Sequence, residues 1–64
     1  MKNTIRVVRA ERRWSQAELA ERAGVSRNSI NSIENGRVDP SLSLAYAIAD
    51  AFETGVEDVF VREK

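Results

Sequence analysis

Residues 16–35, QAELAERAGVSRNSINSIEN, allow few backbone paths. Leu19, Ala20 and Ala23 share one face of a helix, and Gly24 then breaks the pattern. Val25 follows, Ser26 is a helix start, and Ile30 and Ile33 mark the apolar side of a second helix. Glycine enters the left-handed backbone region at little steric cost, so a tight turn is predicted at Gly24. The result is two short amphipathic helices whose inward and outward side chains can be told apart.

The rest of the chain reads as three more short helices, with no strands in the body. The first spans residues 4–13, with Ile5, Val8 and Arg12 on one face and Trp14 closing it as a core residue. The second helix opens at Ser15, where Ser15 and Glu18 have the spacing of a reciprocal capping box. The third stops near Asn35 and Gly36, and residues 36–40 form a loop that ends in Pro40. Ser41 caps a fourth helix with Leu42, Ala45, Ile48, Ala49 and Phe52 at helical spacing. A last turn over residues 56–60 contributes Val56, Val59 and Phe60, which with Val61 are expected to be mostly core. Residues 61–64 either fray or add a short strand at a dimer contact. The expectation is an all-α fold: one domain over residues 1–64, a compact bundle of about five short helices.

Composition narrows the chemistry. Sixty-four residues leave room for one core. With no cysteine there is no disulfide or zinc thiolate, and with no histidine the commonest general base is missing. No nucleophile–base pair, metal cluster or phosphate loop stands out, so neither an enzyme nor a cofactor or small-molecule site is expected. Glu57 and Asp58 read as acids favoured by a helix dipole. Apolar runs are too short for a membrane span, and the first residues have no signal-peptide pattern, which points to the cytoplasm. Net charge is zero, but residues 1–37 hold eight basic against four acidic side chains, and residues 38–64 hold two against six. A basic half and an acidic half can present opposite faces, of which only one needs to meet phosphate.

On a wheel of about 100° per residue, Ile30 and Ile33 point inward in the third helix. Asn28, Asn31, Ser32 and Asn35 point the other way, with Arg27 at their edge and Glu34 at the inner margin. Guanidinium, amide and hydroxyl groups suit base edges: arginine can pair with guanine, asparagine with adenine, and serine with several bases. Two helices about a tight turn, with such a face on the second, have the layout of a DNA-binding helix-turn-helix over residues 16–35.

Residues 9–60 resemble the phage-repressor and Cro-like helix-turn-helix proteins, the Xre family. The resemblance rests on Arg9, Ser15-Gln16, Leu19-Ala20, Ala23-Gly24-Val25, Ser26, Ile30, Ile33-Glu34-Asn35-Gly36, Pro40-Ser41-Leu42 and Glu57-Asp58-Val59-Phe60. It implies a lambda-repressor-like bundle that binds double-stranded DNA, usually as a homodimer. By position, Arg27, Asn28, Asn31 and Ser32 would read bases. Gln16 would contact phosphate and brace the reading helix, with Ser15 beside it. Asn35 and Arg37 would grip the next phosphates, together with the amides of that stretch. Arg9 and Glu34 match a partly buried salt bridge.

The chain departs from the family at four places. Arg13 stands where a glycine often ends the first helix, so a different turn is expected there. Glu53 and Thr54 replace the usual glycine and valine, leaving the end of helix four open. Asp39 occupies a position that is basic in many relatives. Tyr46 falls on an otherwise exposed face, as a dimer contact or a partly buried ring. The reading is a transcriptional regulator, a repressor binding a palindromic operator as a homodimer. The alternative is a protein-interaction module that keeps the fold with weak or no DNA binding.

Overall fold

The computed structural model describes residues 2–61. Five helices follow one another: α1 (Ile5–Arg12), α2 (Gln16–Ala23), α3 (Arg27–Glu34), α4 (Leu42–Ala51) and α5 (Val56–Val59). Two short strands bracket them, β1 (Lys2–Asn3) and β2 (Phe60–Val61), and they pair antiparallel with Lys2 opposite Val61 and Asn3 opposite Phe60. The sequence reading left room for a strand only in the tail, at a dimer contact; the strands found here lie at residues 2–3 and 60–61 and pair within the chain. Thr4 adds to the seam, its backbone N–H donating to the Val59 carbonyl at 2.8 Å. Residues 62–64 of the expected tail lie outside the described residues.

Local chemistry sets the helix starts. Ser15, Ser26 and Ser41 have extended backbone, and each hydroxyl accepts from the amide three residues on, in Glu18, Ser29 and Leu44. Only half of the expected Ser15–Glu18 capping box forms. The Glu18 carboxylate instead accepts from Arg22 Nε at 2.8 Å, one turn along α2. A reciprocal bond of that kind occurs at α5, where Gly55 N–H donates to Asp58 Oδ2 at 3.3 Å.

The core is continuous through all five helices. Ile5, Leu19, Ile30, Ile48, Phe52 and Val59 are fully buried, with Ala20, Ile33, Ala45, Ala49 and Phe60 around them. Trp14 flanks this core, stacked on Phe52 with ring centroids 5.5 Å apart. The Arg22 guanidinium lies 4.2 Å from the centre of the Trp14 ring. Arg12 does not join the buried face of α1. It is exposed, and its Nη2 donates to the Phe52 carbonyl at 2.7 Å, tying α1 to the end of α4. Two further apolar expectations are corrected: Leu42 is 71% exposed and Val61 45% exposed. Leu42 shares the wheel face of Ala45 and Ala49, but as the first residue of α4 it projects beyond the end of the core.

Gly24 turns the chain between α2 and α3 at φ 73°, in the left-handed region. Arg13 does the same at the end of α1, at φ 58° and ψ 38°. The expected different turn is therefore not found; arginine adopts the turn usually given to glycine. Glu53 repeats this one residue beyond the Phe52 cap of α4, at φ 59°. A side chain in this region costs roughly 1–2 kcal/mol, against roughly 0.5–1 kcal/mol of extra chain entropy for glycine. Arg13→Gly and Glu53→Gly should each raise unfolding stability by about 0.5–1 kcal/mol in chemical denaturation. A loss of stability in both would show that the left-handed backbone is not the dominant cost.

Candidate nucleic-acid interface

A single carboxylate organises the surface where α1, α2 and α3 meet. Glu34, the last residue of α3, has a side chain only 2% exposed. Arg9 of α1 reaches it with two donors, Nε to Oε1 at 2.9 Å and Nη2 to Oε2 at 3.1 Å. This fork-to-fork geometry is the strong form of an arginine–carboxylate pair. A third Arg9 donor, Nη1, bonds the Trp14 carbonyl at 2.8 Å and so fixes the corner between α1 and α2. Gln16 Nε2 donates to Glu34 Oε2 at 3.1 Å from the first turn of α2. Arg6 completes the set from outside, with Nε 3.5 Å from Oε2.

Burial of this carboxylate pushes its pKa up. The hydrogen bonds from Arg9 and Gln16, with the charges of Arg9 and Arg6, more than offset that. Glu34 is therefore held below the ordinary value of 4.5 and is ionised at neutral pH.

Around this junction the structure sorts the candidate residues into bonded and open groups. Arg27 and Asn28 are exposed on the first turn of α3, and neither side chain has a bonding partner among the described residues. Ser32 is half-buried on the same helix. Asn31 is half-buried, and its Nδ2 donates to Gln16 Oε1 at 3.3 Å. Gln16 thus spans Glu34 and Asn31, coupling the start of α2 to the middle of α3. The Ser15 hydroxyl already accepts the Glu18 amide at 3.0 Å, which leaves its own proton to give.

The stretch after α3 is closed by its own backbone. The Asn35, Gly36 and Arg37 amides donate to the Asn31, Ile33 and Ser32 carbonyls at 3.1, 3.1 and 2.9 Å. Those amides were expected to grip phosphate; they are already used to terminate α3, so only the side chains remain. Arg37 is exposed. Asn35 Oδ1 accepts from Arg6 Nη2 at 3.1 Å, leaving its amide nitrogen to donate outward.

Two residues at this surface were missed in the sequence. Arg6 sits one turn before Arg9 on α1, and that spacing of three is the signal that could have found it. Asn3 gives no such signal. Its Nδ2 donates to the Ile33 carbonyl at 2.9 Å, while its Oδ1 accepts the Ile5 amide at 3.1 Å.

Comparison with known proteins agrees with this geometry. A family model described as helix-turn-helix matches residues 5–59. An uncharacterized HTH-type transcriptional regulator of Methanocaldococcus jannaschii is 46% identical, covering 98% of this chain and 96% of its own. The immunity repressor protein of Bacillus phage phi105 is 39% identical over 92% of this chain, which spans 41% of that longer protein. Among solved structures, a hypothetical transcription factor from Neisseria superposes with a TM-score of 0.79 at 30% identity. That match covers 84% of this chain and 61% of the Neisseria chain.

Glu34 is a stronger acid in the folded chain than in the unfolded one, so its ionised form favours folding. That contribution is complete above about pH 4.5 and is lost as pH falls through the lower folded value. Denaturation followed from neutral pH into the acid range should show this decline, and Glu34→Gln should be less stable at neutral pH with a shallower decline. Arg9→Ala, which leaves the buried carboxylate without its main partner, should cost about 3 kcal/mol. A cost below about 1 kcal/mol would place the pair among solvated ion pairs.

Proposed function

This chain belongs to the Xre-type helix-turn-helix family of DNA-binding transcriptional regulators, and from that premise we propose that it is a repressor that binds a palindromic operator as a homodimer. The observation that carries the reading is the outer face of α3. Arg27 and Asn28 stand open there beside Asn31 and Ser32, while the only carboxylate of the helix, Glu34, is turned inward and paired. In this reading α3 lies in the major groove. Arg27 pairs with a guanine, and Asn28, Asn31 and Ser32 meet neighbouring base edges. Ser15, Gln16, Asn35 and Arg37 hold the flanking phosphates, which set the register of α3 without reading sequence. The name of the phage relative, an immunity repressor, supports repression rather than activation.

The homodimer has support at α4 and α5. Leu42 and Tyr46 lie one turn apart on α4, 71% and 54% exposed. They border a mainly apolar groove that Pro40, Ala45, Val56 and Phe60 also line, with Glu57 beside them. A twofold contact uses the same patch on both subunits, so a projecting pair beside a recess is self-complementary. Pairing through it would place two copies of α3 for successive major grooves about 34 Å apart.

Arg27→Ala should weaken binding to the selected operator by about 1–3 kcal/mol and relax preference at one base pair. Arg37→Ala should instead weaken all sequences alike and lower the slope of log affinity against log salt by about one. Fluorescence anisotropy over a salt series separates the two, and the same response from both would defeat the division into reading and phosphate-holding residues. Tyr46→Glu should sediment as a monomer where the native chain is a dimer, with at least ~10-fold weaker operator binding. A dimer that survives this change would move the contact elsewhere.

A further inference from the structure

The hydrogen bonds that converge on Glu34 have a direction, and that direction reaches Asn31. An ionised carboxylate can only accept, so Gln16 can bond it only through its amide nitrogen, Nε2, at 3.1 Å. The amide group is planar, which turns Gln16 Oε1 away from Glu34 and toward α3. Facing that oxygen, Asn31 can only donate, and its Nδ2 does so at 3.3 Å. The reverse orientation of Asn31 would set two oxygens against each other. What remains outward on Asn31 is the carbonyl oxygen Oδ1 and one N–H, neither with a partner among the described residues.

Resting on the DNA-reading role of α3 given above, we propose that Glu34 and Gln16 are positioning residues for specificity: they fix the Asn31 amide so that it selects a base carrying an exocyclic amino group, adenine first and cytosine second. In the major groove adenine shows an amino donor at N6 next to the N7 acceptor, matching Oδ1 and the spare N–H together. Cytosine offers its N4 amino group to Oδ1 alone. Guanine N7 and O6 and thymine O4 are acceptors: each base can take the spare N–H but offers no donor to Oδ1, so one of the two bonds is lost. Asn28 provides the internal contrast. It is exposed and has no bonding partner, so its amide can turn either way and meet donors or acceptors.

The test is selection of bound duplexes from random sequence, with the native chain, Asn31→Ala and Gln16→Met run in parallel. Each variant is first checked for native helix content and melting temperature. The native chain should prefer adenine or cytosine over guanine and thymine by about tenfold at one position in each half-site. Asn31→Ala should erase the preference there and nowhere else. Gln16→Met, which removes the relay and leaves Asn31 in place, should let guanine and thymine rise to within about threefold at that same position. Its neighbouring positions should stay as selective as before, even if overall affinity falls with a lost phosphate contact. Guanine or thymine at the position that Asn31→Ala erases would overturn the proposal. So would an unchanged preference in Gln16→Met, or no change at any position in Asn31→Ala. If the native chain recovers no preferred sequence at all, the DNA-reading role itself fails, and the proposal falls with it.

Discussion

The junction of α1, α2 and α3 depends on one buried negative charge. Glu34 is taken almost wholly out of water, which would be costly for a lone carboxylate. Arg9, Gln16 and Arg6 repay that cost, and they come from α1 and α2 while Glu34 itself ends α3. Satisfying the charge therefore requires three helices to be in register at once. An apolar contact would stabilise the same junction without specifying the rotation of each helix. A forked ion pair with an added amide specifies it closely, because its partners must arrive along particular directions.

The same arrangement explains how a chain of zero net charge suits a polyanion. The one acid of α3 is folded inward, and Glu18 is paired with Arg22 along α2. Of the eight other acids six lie in the second half of the chain, four of them in α4, α5 and the joint between them. What matters for phosphate is the local field within about a Debye length, roughly 8 Å at physiological salt, rather than the total.

How far the sequence could be read followed the range of the interactions. Gly24 and the three serine caps act over three or four residues, so their turns and helix starts were visible in order. The fate of Glu18 was a competition between two local partners, the Ser15 backbone and the Arg22 side chain, which spacing alone does not resolve. In α4 the run LSLAYAIADA is apolar nearly all round, so a wheel could not tell that Leu42 faces out and Ile48 in. Arg13 and Glu53 adopt a backbone that residue type argues against, held there by the helix packing on either side. Among the site residues, the outward face of α3 came from its period. The links through Arg6, Asn3 and Gln16 join residues far apart in the chain, and only the folded geometry supplies those.

The short sheet has a meaning beyond its size. Lys2 pairs with Val61, and Asn3 of the same strand bonds the Ile33 carbonyl at the last turn of α3. Closing such a long loop carries the largest entropy cost of any contact in the molecule, for only a handful of bonds in return. That cost is offset because β2 carries Phe60 into the core, next to the fully buried Val59. Asn3 and Arg9 tie the same end of α3, one through the Ile33 carbonyl and the other through the Glu34 carboxylate. The two strands thus act as a latch on the C-terminal end of α3, closed by the first and last described residues of the chain.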